Sequence, residues 1–263
     1  MLGRMATRGL MDRMQFAMRP LACILLIAAL PLSGCQGRTA DPDRPESALA
    51  FPKPDRPVSE LGANQFSTET ERDSVNEAQT VMDLAQIESG MTVADIGAGE
   101  GYYTVRLAER VGAEGRVLAQ DIDRQALRRL GARVERERLD NVSIKLGAED
   151  DPRLPEASFD RVFLVHMYHE VAEPYAFLWR LRPALHPGGK VIVVDVDRPT
   201  DRHGIPPTLL FCEFSATGFR LTEFVRKPDL QGYYAQFEAA EEQPAPSEIK
   251  PCQQPGNGDA NGK

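Results

Sequence analysis

Between residues 70 and 237, short apolar runs of strand length alternate with longer stretches at helical spacing. Val75, Ala78, Val81, Met82 and Ala85 recur on one helical face that Gly90 closes, and Ser74-Val-Asn-Glu77 ahead of them reads as a capping box. Thr92–Ile96 reads as a strand, followed by a helix to Val111 and a turn between Gly112 and Gly115. A second strand covers Arg116–Gln120, and the helix after it turns Leu127, Leu130 and Val134 inward and a solvated Arg/Glu face outward. Val142–Leu146 and Arg161–Val165 are two more strands. Glu173-Pro174 opens a helix with Leu178, Leu181 and Leu185 inward, which stops at His186-Pro-Gly-Gly189. Val191–Asp195 is apolar up to its last residue, as expected for a strand buried on both faces of a parallel sheet. After a Pro/Gly/His loop at 198–207 come a helix over 208–217 and two strands, 218–225 and 232–237, paired through a turn. Strand and helix in alternation give the α/β class.

The glycines after the first strand change this from a fold class to a site. Met91-Thr-Val-Ala-Asp95-Ile-Gly97-Ala-Gly99-Glu-Gly101 is a strand, a glycine turn and the start of a helix, which is the geometry of a nucleotide cradle. The dinucleotide fingerprint is G-x-G-x-x-G. Here the spacing is G-x-G-x-G, and Asp95 stands two residues before Gly97. An acid there would repel a pyrophosphate and suits a positive amino group. Asp121 closes the second strand, where ribose hydroxyls are bound in Rossmann-like sites, and a carboxylate can accept from two vicinal hydroxyls. Asp123 fits the cap of the next helix. The Asp95–Gly101 stretch resembles the first motif of class I S-adenosylmethionine (SAM)-dependent methyltransferases. The S-F-D start of the fourth strand and the P-G-G turn at 187–189 are similar to the same family. The resemblance covers about residues 70–237 and implies a Rossmann-like, seven-stranded, mostly parallel sheet, helices on both faces and an antiparallel last strand pair.

It also implies a cofactor, SAM, with Asp95 at the methionine amino end, Gly97, Gly99 and Gly101 along its backbone, Asp121 on the ribose and Ile122 against the adenine. An acid after the third strand often meets the adenine amino group in this family. Ala148 stands where Asp is common, so Glu149 or Asp150 is the nearest acid, and Glu149 is taken for that contact. His166 lines the cofactor at the end of the fourth strand, and Tyr168 and His169 are the catalytic candidates for deprotonating or orienting a nucleophile. His166, His169 and Glu170 could suggest a metal, but nothing spaced like a ligand set completes one, so none is expected. No N/D-P-P-Y sequence follows the fourth strand, which weakens amino-methylation of DNA or protein. A small or lipid-like acceptor is expected. A non-enzymatic SAM-binding or degenerate methyltransferase-fold protein of the cell envelope is the second reading. An NAD-type oxidoreductase is disfavoured by Asp95 and the glycine spacing.

The ends of the chain set the expected location. Arg4, Arg8, Arg13 and Arg19 precede an apolar stretch from Leu21 to Leu32, and then comes Leu32-Ser-Gly-Cys35. That order is a secretory leader, and Met14 or Met18 could be the true start. Its ending resembles the lipobox of bacterial lipoproteins, which implies lipidation of Cys35 and attachment on the periplasmic side of the cell envelope. Gln36 rather than Asp follows the Cys, which favours the outer membrane. The expected organisation is a leader over 1–34, a Pro-rich tether over 35–60, the domain over 61–237 and a disordered tail over 238–263. The net charge is −8, becoming −11 without the leader. A basic patch for nucleic acid is not expected, and attachment to anionic lipid would rest on acyl chains. Cys212 and Cys252 could pair in an oxidising periplasm, but their separation and the place of Cys252 in the expected tail argue against it. Nothing in the sequence sets an oligomeric state.

Overall fold

The computed structural model describes residues 44–59, 68–227, 230 and 232–253, and Cys35 with the leader lies outside them. The elements are α1 (Glu69–Ser74), α2 (Glu77–Leu84), β1 (Thr92–Ile96), α3 (Tyr102–Val111), β2 (Arg116–Asp121), α4 (Arg124–Glu137), β3 (Val142–Leu146), β4 (Phe159–Val165), α5 (Pro174–Leu181), β5 (Leu185–Asp195), α6 (Pro207–Ala216), β6 (Phe219–Lys227) and β7 (Gly232–Ala239). The seven strands form one sheet in the order β3-β2-β1-β4-β5-β7-β6. β1 to β5 pair in parallel, and β7 runs antiparallel to both β5 and β6. This is the expected Rossmann-like α/β fold.

Strand period fixes which residues reach which layer. Ala94, Ile96, Val162, Leu164, Val191 and Val193 enter one core with α5 and α6. Val93, Phe163, Ile192 and Val194 point to the opposite face and enter a second core with α2 and α3. The unbroken apolar run of β5 therefore serves both layers. By the same alternation, Asp95 at the end of β1 faces α3, and Asp195 at the end of β5 faces α5 and α6. The strand order reverses between β1 and β4, which opens a crevice at their carboxyl ends.

Three expectations need correction. The capping box lies at the start of α1, not at 74–77: the Thr68 side chain accepts from Glu71 N–H, and Glu71 accepts from Thr68 N–H. Asn76 is left-handed (φ 52°), so Ser74-Val-Asn-Glu77 is the break between two short helices. Leu185 does not continue α5. It opens β5 opposite Phe159, and residues 186–189 loop out before Lys190 pairs with Arg161.

The third correction concerns the ends of the domain. The described part of the tether, 44–59, is packed chain. Ala48 and Phe51 are buried in the α5/α6 core, and Arg44 makes a two-pronged ion pair with Glu173 at 2.6 Å on both contacts. The expected tail is likewise docked as far as residue 253. Trp179 Nε1 donates to Pro244 O, Ile249 and Cys252 are buried, and Cys252 is disulfide-bonded to Cys212 on α6. Closing a separation of 40 residues contributes about 2–4 kcal/mol by restricting the unfolded chain. The two end segments meet each other at a parallel bridge between Asp55 and Gln253. Composition suggested linkers, but a few long-range polar pairs and one covalent bond hold these segments where periodicity does not.

Candidate active site

The glycine turn after β1 is built by three left-handed residues, Gly97, Gly99 and Gly101. Two of them are also set by packing: a Cβ on Gly97 would press Met167, and one on Gly101 would strike Leu130. Gly99 differs, because a Cβ there would meet no protein atom within 4 Å. Its φ of 55° and the open ground above it leave backbone N–H groups accessible to a ligand at the start of α3. The Asp121 carboxylate reaches this turn from the end of β2. One oxygen accepts from Gly99 N–H and the other from Asp123 N–H, each at 2.8 Å. Asp121 is half-buried, with lone pairs left on both oxygens, so it suits a pair of vicinal hydroxyls above Gly99.

Asp95 lies beneath the turn, 3% exposed, and accepts from Thr104 Oγ1 at 2.6 Å. Burial pushes its carboxyl up to about 6; the Thr104 bond and the Arg72 charge oppose this, and the nearby Asp121 charge adds to it. Behind it is a network that the sequence did not reveal. Glu77 Oε1 accepts from Arg72 at 2.5 Å and from the Tyr103 hydroxyl at 3.1 Å, and lies 3.4 Å from His166 Nε2. Burial raises the Glu77 pKa, but His166 and Arg72 outweigh it and hold the group down to about 2. The Arg72 and Arg106 guanidiniums stand 3.8 and 3.9 Å from the centroid of the Tyr102 ring. His166, at φ 53°, is thus tied to α2 at the mouth of the crevice, between the glycine turn and the end of β4.

The remaining predicted residues divide. Ile122 is half-buried beside Asp121, while Glu149 is exposed on the turn bridged by Ala148 and Asp151. Asp150 is buried and committed to Ser47 and Arg180, so it does not replace Glu149 as an adenine contact. Tyr168 is wholly buried, and its hydroxyl donates to Glu213 at 2.8 Å. Burial, with Glu213 close by, pushes its phenol well above the usual range. Tyr168 is therefore not a base at the crevice; it belongs to the interior beside Arg56 and Glu213.

His169 is also wholly buried, but its ring has a different partner. Nδ1 lies 3.0 Å from each oxygen of Asp195, and Asp195 also accepts from Val196 N–H. A carboxylate only accepts, so Nδ1 donates to Asp195. Sequence reasoning missed Asp195, whose one visible sign is an acid ending an otherwise apolar strand. His203 gave no such signal, yet the turn over 200–203 brings its ring to 5.7 Å from that of His169.

A depression of about 810 Å³ between α3 and the end of α4 is lined by Arg106, Arg116, Arg133 and Asn141. It lies toward the amino ends of β2 and β3, away from the crevice.

Known proteins share this fold. The family profile described as a methyltransferase domain matches residues 87–218, half of the chain. A SAM-dependent methyltransferase from Aquifex aeolicus is 23% identical, with 64% of this chain and 92% of that one covered and a TM-score of 0.58. The [4+2]-cyclase SpnF is 14% identical, with 74% and 91% covered and a TM-score of 0.57. No curated protein matches the chain. With the family match, the glycine turn between two carboxylates and the sheet order together, the chain belongs to the methyltransferase-domain family, the class I SAM-dependent methyltransferases.

Proposed function

We propose that the protein transfers a methyl group from SAM to a small or lipid-like acceptor, on a secreted chain anchored by lipid at Cys35. The single observation that carries the cofactor half is the Asp121 carboxylate on the N–H of Gly99, beside open ground that packing does not explain. SAM supplies an activated methyl on a sulfonium. The chain supplies position: Gly97 to Gly101 cradle the amino-acid end, Asp95 balances its ammonium, Asp121 holds the ribose, and Ile122 packs beside the base. Glu149 is left for the adenine edge, and His166 borders the crevice on the β4 side.

The acceptor side lies past the ends of β4 and β5, where Asp195 fixes His169 as a positioning group. The arm preceding α1 roofs it. Arg56 donates to His169 O and Val171 O, and Ser59 Oγ donates to Thr200 O and accepts from His203 N–H. A roof this close favours a small acceptor, or the narrow end of a lipid, over a folded macromolecule. The net charge of −8 gives no electrostatic reason for nucleic acid to approach.

The pH dependence of SAM binding tests the role of Asp95. The raised pKa means that the empty site keeps this acid neutral below about pH 6, and a bound ammonium favours the ionised form. Affinity is therefore expected to be weak at low pH, to tighten about tenfold per unit as pH rises toward 6, and to level off above it. Calorimetric titration of SAM between pH 5 and 7 measures this, and Asp95→Asn should flatten the profile. A wild-type profile with no slope in that window would remove Asp95 from the amino end.

Lipidation has its own check. Expressed in a bacterial host with a labelled fatty acid, the wild-type chain should incorporate label and fractionate with membranes, and Cys35→Ser should do neither. Label retained by the variant would place any modification elsewhere.

A further inference from the structure

We propose that His169, Glu170 and His203 form a binding site for one divalent transition-metal ion, of which Zn²⁺ is the best match. One donor atom from each of the three lies within 4.8 Å of the other two. His169 Nε2 is 4.0 Å from Glu170 Oε1, and the two imidazole rings meet edge to face at 5.7 Å between centroids. Two imidazoles and one carboxylate are a known zinc donor set, and three protein ligands leave a position for water or an acceptor atom. Bound donors would stand somewhat closer than 4.8 Å, a change that rotation of the Glu170 and His203 side chains supplies.

The surroundings suit a ligand histidine. Asp195 holds Nδ1 of His169 with both oxygens, the carboxylate–histidine arrangement that fixes a ligand ring and strengthens its other nitrogen. His203 is held at φ 51°, and the Ser59 hydroxyl accepts its backbone N–H, so the arm clamps the turn that presents this ring. His169 is fully buried, whereas Glu170 and His203 are half-buried and give an ion a way in. With an ion on Nε2, His169 is a ligand and not a proton acceptor, and it would act on an acceptor through the open position. The site is defined without SAM, so its fate is separate from that of the methyl-transfer reading.

The test uses the purified full chain, stripped with a chelator and titrated with Zn²⁺ by calorimetry in the absence of SAM. Co²⁺ in place of Zn²⁺ reports the ligand field through its visible absorption. One equivalent should bind, with an intense Co²⁺ band from a coordination number below six. His203→Ala and Glu170→Gln should each weaken binding by at least about tenfold, and Asp195→Asn by about 10–100-fold. His186→Ala, an exposed histidine elsewhere, should bind like wild type. His203 is only half-buried, so its variant should keep the wild-type melting temperature and separate metal loss from misfolding. Failure of the wild type to bind, or equal binding by His203→Ala, overturns the proposal.

Discussion

Asp121→Ala is expected to weaken SAM binding by about 10²–10³-fold, the largest effect of any single change in the cofactor site. In the reading above, this carboxylate takes two ribose hydroxyls, and each hydrogen bond to a charged group contributes about 1.5–3 kcal/mol. It also tethers the turn through Gly99 N–H, so its removal loosens the cradle as well as the contact. Asp121→Asn keeps the size and one acceptor oxygen and should lose about tenfold, because the charge assistance goes while part of the geometry stays. Melting temperature separates these effects from unfolding: Asp121 is half-buried at a strand end, so either variant should lose no more than about 1 kcal/mol of stability. Calorimetry with SAM and with S-adenosylhomocysteine should show the same loss for both, since the ribose is common to them. An alanine variant that binds like wild type would show that Asp121 serves only the turn.

The two carboxylates were legible because their positions are set by local rules. β1 and α3 fall where β-branched residues, glycines and helical spacing put them, Thr92–Ile96 and Tyr102–Val111. β2 ends on Asp121, and Asp123 caps α4 by accepting from Gln125 N–H. Chain order then brings the ends of β1 and β2 side by side. The acceptor end was less legible because it is assembled from distant pieces. His169 could be named from its place after β4, but not its partner Asp195, 26 residues later, nor His203 beyond that. Tyr168 and His169 are adjacent in sequence and were read alike. A single 3-10 turn sends the Tyr168 hydroxyl to Glu213 and the His169 ring to Asp195, and no period distinguishes two residues at a turn. Arg72 and Glu77 were missed for a related reason. The chain breaks at Asn76 between them, so their pairing belongs to no helical face.

The two parts of the site depend differently on the segments outside the family match. Residues 87–218 contain the glycine turn, Asp121, His169, Asp195 and His203. Arg72 and Glu77, which tie His166 in place, precede the match, and so does the arm over the acceptor end. The residues proposed for the cofactor therefore lie within the family match, whereas the arm proposed to roof the acceptor lies outside it. The disulfide Cys212–Cys252 holds the returning C-terminal segment against the same layer, and that segment meets the arm at Asp55.

Arg56→Ala is the change that tests whether the arm is fold or tether, and it is expected to destabilise the protein by about 3–5 kcal/mol. The Arg56 and Glu213 side chains are each 1% exposed and pair at 2.8 Å. Burial disfavours the Arg56 charge, but Glu213 outweighs it and the guanidinium pKa is raised. Removing the guanidinium leaves Glu213 charged in the core with only the Tyr168 hydroxyl, and two backbone carbonyls, those of His169 and Val171, lose their donor. For a domain of this size the melting temperature should fall by about 6–20 °C. Charge, not shape, should set most of that loss. Arg56→Met combined with Glu213→Leu removes both ions while keeping bulk, and should recover part of the stability, because the Tyr168 hydroxyl still loses its acceptor and the His169 and Val171 carbonyls their Arg56 donor. Function should not follow stability in the double variant, because the carbonyls of the turn that carries His169 remain without their donor. SAM affinity should stay near wild type while the acceptor side loosens, which limited proteolysis of the arm would register as faster cleavage. A flexible tether over residues 44–59 predicts the opposite on every count: an unchanged melting temperature for Arg56→Ala, no rescue by the second substitution, and cleavage in the arm as rapid in the wild type as in either variant.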